Sequence, residues 1–387
     1  MRKIEITGDA AKKFEGGYPL ISLKDLNNSD DFNEGQLVSL VKNEHFVASA
    51  YFGKQNTGIG WVLSRKENQE INQRFFERIF TNAFNKRNEF FEEELEIFRL
   101  FNGQGDNLGG ITVDYFNGNV LISWDNQGIY QYRSMIIKAI TNSLTEYSNL
   151  YDVKKFESNI TINALNHYSI DPKEQIIASE NTIKFPVNLD GNINTGIDVI
   201  YRDIRTDLKD NSSNKMALNL FHNQTGFVGA EISGGTLKTT NVDSSKKTID
   251  ELNDLFESNQ MTAGAQENRS MDVMGYLDYA QKHELKFDLI TIKIPMFFKS
   301  KKGNFQIKKD LNSLLEKIIK IAASNADIYF VVDTPNFSMK KLNYAIKDVM
   351  AKQKYDIIKK YIAPDDFTID SEFRDTGNLN AIWIKLK

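Results

Sequence analysis

Three strand-like segments in the C-terminal half of the chain each end in a residue that could contact a nucleotide. They span residues 216–221 (MALNLF), 239–245 (TTNVDSS, with Asp243) and 287–295 (FDLITIKIP, with Pro295). A turn and a helix follow the first segment, and in open α/β sheets a helix N-terminus at the carboxyl end of a strand binds nucleotides. Asp243 follows that turn by about 20 residues, the spacing at which such folds place an acid on ribose hydroxyls. The ordered set therefore predicts a nucleotide-binding site.

The composition of the chain excludes several kinds of chemistry. Its 387 residues include no cysteine and only 4 histidines, which are well separated in the sequence. Disulfides, thiolate metal sites and cysteine nucleophiles are therefore excluded, and we expect no metal site. The net charge of −4 gives no global basic field, so any contact with nucleic acid needs a local basic patch.

Neither a membrane span nor a signal peptide is predicted. No stretch of the chain is long and apolar enough to cross a bilayer, and the N-terminal residues lack an apolar signal core. We therefore expect a soluble, cytoplasmic protein. The sequence leaves open whether the chain forms a homodimer.

Changes in hydrophobic period divide the chain into three predicted domains. Short alternating strands with frequent turn residues predict a small β-barrel-like module at residues 1–70. Strands, a helix and further strands predict an α+β middle domain at residues 71–186. Alternating strands and helices predict a doubly wound α/β domain with an antiparallel end at residues 187–387. The predicted fold class is therefore α/β, with two smaller domains before the doubly wound one.

The same periodicity predicts individual elements. Helices are predicted at residues 72–94, 128–147, 248–259, 274–283, 305–324 and 340–352. Strands of the last domain are predicted at residues 216–221, 238–242, 287–292, 327–333, 355–361 and 379–386. The polar segment 205–214 (RTDLKDNSSN) looks mobile.

Several motifs together resemble one protein family. They are FRLFNGQGDNLGGITVDYF (98–116), VNLDGNINTGI (187–197), LNLF (218–221), MDV (271–273) and PDDF (364–367). The chain resembles bacterial S-adenosylmethionine-dependent large-subunit rRNA methyltransferases over essentially its whole length. That family has an N-terminal PUA domain, an α+β middle domain and a Rossmann-like methyltransferase domain. The resemblance implies S-adenosylmethionine as cofactor and ribosomal RNA as substrate.

The resemblance also implies which residues hold the cofactor. Asn219, Leu220 and Phe221 would end the first strand beneath the methionine moiety, and Gly226 would lie in the turn that follows. The family has a glycine where this chain has Thr225. A glycine lets a ligand come close to the backbone, and the Cβ of a threonine leaves less room for that contact.

Three charged residues complete the implied cofactor site. Asp243 would accept hydrogen bonds from the ribose hydroxyls, and Asp272 from the adenine amino group. Arg202 would anchor a carboxylate at the entrance. Each has a structural alternative: the two aspartates could cap helices, and Arg202 could form a surface salt bridge.

The catalytic motif of the family is altered in this chain. Its Asp-Pro-Pro-x-Phe sequence at the third strand appears here as Lys293-Ile294-Pro295-Met296-Phe297, so the predicted catalytic residues are Lys293, Pro295 and Phe297. Like unit charges about 4 Å apart repel by ~1 kcal/mol in water and by ~4 kcal/mol at an effective dielectric near 20. An ammonium facing a cationic sulfonium would therefore weaken cofactor binding unless it turns away.

A second altered position is Ile200, where the family has an acid.

The absence of cysteine limits the reaction. Cytosine-C5 methylation, the activity best associated with the family, proceeds through attack by a cysteine on the base, and this chain has none. Two hypotheses follow. The first is an S-adenosylmethionine-dependent methyltransferase acting on rRNA without a cysteine nucleophile. The alternative is a catalytically degenerate protein that binds RNA or ribosomes and retains the fold.

Two groups of basic residues could contact RNA. Lys299, Lys301 and Lys302 follow the third strand, beside Phe297, which could stack on a base. Arg2 and Lys3 could form a second patch in the N-terminal module. A lysine run of this kind is also typical of a solvated loop.

Overall fold

The chain folds into two compact units. The computed structural model describes residues 1–28, 32–55, 58–158, 160, 162–165, 176–189, 195–221, 225–261, 266–300, 303–332 and 337–387. Unit 1 consists of Met1–Ile176, Asn188–Ile193 and Asp365–Gly377, and unit 2 of Ile177–Val187, Asn194–Pro364 and Asn378–Lys387. A segment near the C-terminus therefore belongs to unit 1, which sequence periodicity did not indicate. The three-domain division with boundaries at 70 and 186 stays a prediction.

Unit 1 contains two five-stranded sheets with helices packed on them. One sheet has the order β1-β3-β4-β5-β2 and the other β10-β9-β8-β7-β6. The strands of the first are β1 (Arg2–Glu5), β2 (Leu20–Ile21), β3 (Leu37–Lys42), β4 (His45–Gln55) and β5 (Gly58–Ser64). Those of the second are β6 (Ile97–Asn102), β7 (Ile111–Phe116), β8 (Asn119–Trp124), β9 (Asn149–Lys154) and β10 (Ile162–Ala164). The helices are α1 (Gly8–Glu15), α2 (Gln73–Asn85), α3 (Asn88–Glu92), α4 (Gln127–Tyr130) and α5 (Arg133–Ser143).

Two helices predicted in this unit are each divided in the structure. The stretch 72–94 forms α2 and α3, and the stretch 128–147 forms α4 and α5. The first break lies beside Arg87, whose buried guanidinium turns inward and donates to the carbonyl oxygen of Ala83 at 2.9 Å. Hydrophobic period does not report such a tertiary contact, so these two predictions were wrong in detail.

The glycine-rich motif of residues 98–116 has a structural role. Arg87 donates two hydrogen bonds to the carboxylate of Asp106, at 3.1 and 2.8 Å. The backbone N–H of Arg99 donates to the carboxylate of Asp366 at 2.6 Å, and its side chain pairs with Asp114. A Cβ at Gly105 would lie 1.7 Å from the carbonyl oxygen of Thr368, so only glycine allows this close approach. The motif therefore holds residues 365–377 in unit 1.

Unit 2 is built around a seven-stranded sheet with the order β15-β14-β13-β16-β19-β21-β20. Its strands are β13 (Met216–Leu220), β14 (Lys238–Asp243), β15 (Gln266–Ser270), β16 (Phe287–Ile294), β19 (Ala322–Val332), β20 (Tyr355–Tyr361) and β21 (Asn380–Leu386). Two hairpins accompany it: β11 (Ile176–Glu180) with β12 (Ile183–Val187), and β17 (Phe297–Ser300) with β18 (Gly303–Gln306). The helices are α6 (Arg202–Asn211), α7 (Gly226–Ser233), α8 (Lys246–Ser258), α9 (Val273–Lys282), α10 (Ile307–Ile321) and α11 (Met339–Val349).

The sheet has the doubly wound order that the sequence predicts. Strands β15, β14, β13, β16 and β19 pair in parallel, and β21 pairs antiparallel with both β19 and β20. The chain runs from β13 outward to β15 and then returns to β16 on the other side of β13. Such a reversal leaves a crevice at the carboxyl ends of the two central strands, where ligands bind. The predicted fold class is therefore confirmed.

One segment of unit 2 differs from its prediction. Residues 205–214 look mobile in the sequence, yet most of them lie in α6. Ile204 and Leu208 are fully buried and lie one helical turn apart, so a narrow apolar stripe anchors an otherwise polar helix. The high polar content of the segment concealed this stripe.

In the described part of the chain, no helix has the length and apolar character that a membrane crossing requires.

A row of polar side chains, all buried except the half-buried Asn268, crosses one face of the sheet. Glu231 of α7 accepts hydrogen bonds from the side chains of Asn219 and Thr291, at 2.6 and 2.8 Å. Asn219 also donates to Asn241 at 3.1 Å, and Asn241 donates to Asn268 at 2.8 Å. These four strand residues are direct neighbours in the parallel register. Glu231 therefore fixes α7 against β13 and β16, and the row continues across β14 and β15.

Burial raises the pKa of Glu231 to about 7, although the hydrogen bonds from Asn219 and Thr291 lower it in part. Between its ordinary value of 4.5 and about 7, the unfolded chain has lost this proton and the folded chain retains it. The free energy of unfolding must then fall as pH rises through this range, because the folded state opposes ionisation.

We expect the substitution Glu231→Gln to remove this part of the pH dependence. Urea denaturation at pH 5 and at pH 7.5 measures the free energy of unfolding of the wild type and of the variant. The stability advantage of the wild type over E231Q should be larger at the lower pH. Glu257→Gln, an exposed position on α8, is the matched control. Equal pH dependence in the wild type and E231Q would contradict the assignment.

Candidate functional site

The carboxyl ends of three neighbouring strands supply the floor of the candidate site. Leu220 of β13 pairs with Val242 of β14 on one side and with Ile292 of β16 on the other. The residues that follow these three are Phe221, Asp243 and Lys293. Alternate residues of a strand point to opposite faces, so Asp243 and Lys293 share the face that carries the buried polar row. Phe221 follows the end of β13 with a left-handed backbone, and its side chain packs against the hydrophobic core of the other face. The parallel register therefore brings all three to one edge of the sheet.

A cavity of about 270 Å³ lies at this edge. Small-molecule sites typically measure roughly 300–1,000 Å³, so this cavity is slightly smaller than that range. The residues that line it are Phe221, Asp243, Lys293, Ile294, Pro295, Met296, Phe297 and Phe298. The three residues predicted as catalytic are among them, together with two predicted to bind the cofactor. The walls are largely apolar, with one carboxylate and one ammonium group.

Asp243 combines a turn-forming role with a place in the cavity wall. Its Oδ1 accepts a hydrogen bond from the backbone N–H of Ser245 at 2.8 Å, and Ser245 in turn caps the N-terminus of α8. Burial raises the pKa of the Asp243 carboxyl, and backbone hydrogen bonds from Ser245 and Ser244 lower it. A partly buried carboxylate fixed in this way is a suitable acceptor for hydroxyl groups of a ligand.

Phe221 adopts a strained backbone conformation at the end of β13. Its φ is 55°, in the left-handed region, which costs an L-residue roughly 1–2 kcal/mol. The N–H of Phe221 donates to the carbonyl oxygen of Val242 at 3.2 Å, and its ring lies 4.6 Å from that of Phe298. Phe298 in turn stacks on Phe305 across the β17–β18 hairpin. The aromatic contacts thus connect the strand end to the hairpin beside the cavity.

Lys293 points into the site but is paired. Its side chain is 7% exposed, and its Nζ donates to Oδ2 of Asp198 at 3.1 Å. The same Nζ lies 5.0 Å from the centre of the Tyr201 ring. Sequence reasoning did not identify Asp198 or Tyr201 as site residues. The only available signal was their position in segment 195–202, whose altered acid was noted at Ile200.

Four other predicted cofactor residues do not line the cavity. Asn219 lies one step below it in the polar row, and Leu220 faces the opposite side, in the hydrophobic core. Gly226 begins α7, where a Cβ would approach the Arg205 side chain to 2.9 Å. Arg202 begins α6. Their contacts with a cofactor stay a prediction.

Asp272 also lies outside the cavity lining, at the same edge of the sheet. Its Oδ2 accepts from the backbone N–H of Gly275 at 2.8 Å and thereby caps α9, the structural alternative left open by the sequence. The same oxygen accepts from the hydroxyl of Ser300 at 3.0 Å, which ties the β17–β18 hairpin to α9. A contact of Asp272 with adenine stays a prediction.

The predicted RNA-binding residues are found in separate places. Lys299 is exposed on β17, beside Phe297, whose side chain is 47% exposed. Lys301 and Lys302 lie outside the described residues. Arg2 and Lys3 are exposed on β1 of unit 1. Within the described ranges, no group of three or more metal-ligating side chains could hold an ion.

Fold and site together define a nucleotide-binding α/β protein. Two family models match the chain. One describes a PUA-like domain and covers residues 4–65. The other describes an S-adenosylmethionine-dependent methyltransferase and covers residues 99–353. The chain therefore belongs to the family of S-adenosylmethionine-dependent methyltransferases, and its cofactor is S-adenosylmethionine.

Individual relatives are similar over the whole chain. A Bacillus subtilis protein, YwbD, whose name describes a ribosomal RNA large subunit methyltransferase, is 33% identical over 100% of both chains. A crystal structure of a methyltransferase complexed with S-adenosylhomocysteine has a TM-score of 0.91 at 30% identity, covering 100% of both chains. A methyltransferase structure from Streptococcus mutans has a TM-score of 0.89, with the same identity and coverage. The predicted family, cofactor and enzyme class are confirmed.

The residues at the cavity fit this cofactor. Asp243 can accept hydrogen bonds from a ribose, and the ring of Phe221 offers an apolar wall for a nucleoside. The helix N-terminus at Gly226 follows the same strand. An acid on the strand adjacent to the first one is the arrangement by which doubly wound folds hold ribose hydroxyls.

We expect Asp243→Asn to weaken the binding of S-adenosylmethionine. An asparagine can still accept from the N–H of Ser245, so the turn is kept, but the charge-assisted hydrogen bond to the ribose is lost. Such bonds contribute about 1.5–3 kcal/mol, which corresponds to an affinity lower by about tenfold to a hundredfold. Isothermal titration calorimetry measures the change. The control is Asp254→Asn, an exposed position on α8, and an unchanged affinity of D243N would contradict the ribose assignment.

Proposed function

We propose that this chain methylates large-subunit ribosomal RNA, with S-adenosylmethionine as methyl donor and without a covalent bond between enzyme and base. The observation that carries the proposal is the cavity at the switch point of a methyltransferase sheet. Phe221, Asp243 and Lys293 meet there. The RNA substrate is supported by the name of the full-length relative from Bacillus subtilis and by the PUA-like domain match.

The chemistry follows from the composition of the chain. S-adenosylmethionine, when bound, supplies an electrophilic methyl group. Carbon 5 of cytosine needs covalent activation by a thiol before it can accept a methyl group, and the chain has no cysteine. A ring nitrogen, an exocyclic nitrogen or a hydroxyl oxygen carries its own lone pair. We therefore infer that the acceptor atom is a nitrogen or an oxygen.

The residues around the cavity fit an RNA base as the second ligand. Met296 and Phe297 are 52% and 47% exposed and also line the cavity, so they offer apolar surface to a base beside the methyl donor. The hairpin that follows carries Lys299 toward solvent, where it can contact a phosphate. Pro295 closes β16 and directs the chain into this hairpin. These residues would orient the base and do not transfer a proton.

The competing hypothesis was a degenerate binding protein. The family assignment and the fitting cavity both favour a methyltransferase over it.

Action on ribosomal RNA would place the chain in the cytoplasm. A homodimer stays a prediction.

A methyl-transfer assay tests the proposed reaction. We expect label from S-adenosyl-[methyl-³H]methionine to enter large-subunit RNA taken from cells that lack this protein. After digestion, the labelled nucleoside should carry its methyl group on nitrogen or oxygen. Labelled 5-methylcytidine would contradict the cysteine-independent reaction. Cofactor binding without transfer to any ribosomal RNA would favour the non-catalytic alternative.

The role of the hairpin is tested by RNA affinity across a salt series. We expect Lys299→Ala to make the slope of log K against log salt shallower by about 0.7–0.9, because one phosphate contact is lost. Phe297→Ala should lower the affinity without changing the slope, because stacking releases no counterions. Lys246→Ala, an exposed lysine on α8, serves as the control. A slope unchanged by K299A would exclude this phosphate contact.

A further inference from the structure

An ammonium group faces the cavity that receives a cationic ligand. Lys293 lines the cavity, and its side chain is almost fully buried. S-adenosylmethionine carries a positive sulfonium, whereas the product of methyl transfer is neutral. A nearby uncompensated ammonium would therefore oppose the donor and not the product, and such repulsion grows as the effective dielectric falls. The site needs a negative charge that stays close to Lys293.

Asp198 provides this charge, with its Oδ2 at 3.1 Å from the lysine Nζ. The other carboxylate of the cavity, Asp243, lies on β14, two strands away from Lys293 on β16. Neighbouring strands are about 4.8 Å apart, so the two backbones are separated by roughly 10 Å. Asp198 is thus the nearer carboxylate.

The position of Asp198 is fixed by buried groups. Its backbone carbonyl accepts a hydrogen bond from Arg205 at 2.7 Å. Arg205 is itself buried and forms two hydrogen bonds to the carboxylate of Glu180, at 2.6 and 2.7 Å. The preceding turn is held by Thr225, whose hydroxyl donates to the carbonyl oxygen of Gly196 at 3.2 Å. These contacts therefore fix the backbone at Asp198, while its side chain, which is 36% exposed, reaches the buried Nζ of Lys293.

The second contact of the Lys293 ammonium is the ring of Tyr201. The Nζ of Lys293 lies against the Tyr201 ring, three residues after Asp198, so one short segment supplies both a carboxylate and an aromatic face. A ring face attracts a cation but adds no net charge. Only the Asp198 carboxylate can therefore neutralise the charge of Lys293 within this group of contacts.

We propose that Asp198 determines how strongly the site selects the methyl donor over its demethylated product, by neutralising Lys293. The inference rests on the proposed function, because it takes S-adenosylmethionine as the occupant of the cavity. With the pair intact, the charges of Lys293 and Asp198 cancel, so the ammonium does not oppose the sulfonium. Without the Asp198 carboxylate, the ammonium weakens binding of the donor while the neutral product binds as before.

Titration calorimetry of the full chain with S-adenosylmethionine and with S-adenosylhomocysteine tests the proposal. The measured quantity is the ratio of the two dissociation constants, donor over product. In Asp198→Asn the ratio should rise by about tenfold or more, the order expected for like charges several ångströms apart in a partly buried site. In Lys293→Met the ratio should fall, because the Asp198 carboxylate then has no cationic partner and attracts the sulfonium. In the double variant D198N/K293M it should return to within about threefold of the wild-type ratio, because the charges cancel again.

Binding of the product reports on folding in the same experiment, because S-adenosylhomocysteine carries no sulfonium. Asp210→Asn, an exposed position on α6, controls for the loss of one negative charge on the protein. A D198N variant that loses affinity for both ligands equally would overturn the inference and leave the proposed function intact. A double variant that keeps the D198N ratio would overturn it as well. Wild-type protein that binds neither ligand would overturn the proposed function and this inference together.

Discussion

The parallel register of three central strands is the constraint on which the site depends. Because β13 pairs in step with β14 and β16, the residues that follow each strand reach the same edge. A shift of one residue in any strand would turn its end residue to the opposite face of the sheet. Asp243 and Lys293 face the cavity together only in this register, and Phe221 lines it from the end of β13. The buried row below them holds it, since Glu231 ties Asn219 and Thr291 to one helix.

The cofactor site is therefore built from polar groups at two depths. The lower layer is a hydrogen-bonded row that positions strands and the helix α7. The upper layer contains the groups that line the cavity, and its two charged side chains, Asp243 and Lys293, are held in place by different contacts. Asp243 is fixed by its own turn, while Lys293 depends on a carboxylate delivered from the segment before α6. We propose that this carboxylate is what allows the site to accept a sulfonium near Lys293.

Most of the architecture could be predicted from the sequence, because buried parallel strands are apolar runs separated by amphipathic helices. The strand predicted at 355–361 matches β20, and the helix predicted at 274–283 matches α9 within one residue. Contacts between distant segments could not be predicted. Neither the pairing of Asp198 with Lys293 nor the return of residues 365–377 to unit 1 has a local sequence signal. The helix α6 was missed because only a narrow stripe of it is apolar.

A crystal structure of the chain with S-adenosylhomocysteine tests the central claim most directly. The account predicts that the ribose hydroxyls lie within hydrogen-bond distance of Asp243 and that the nucleoside packs against Phe221. The sulfur should point toward the end of β16, where Lys293 remains paired with Asp198. A ligand bound at another edge of the sheet, or a ribose that does not contact Asp243, would contradict it.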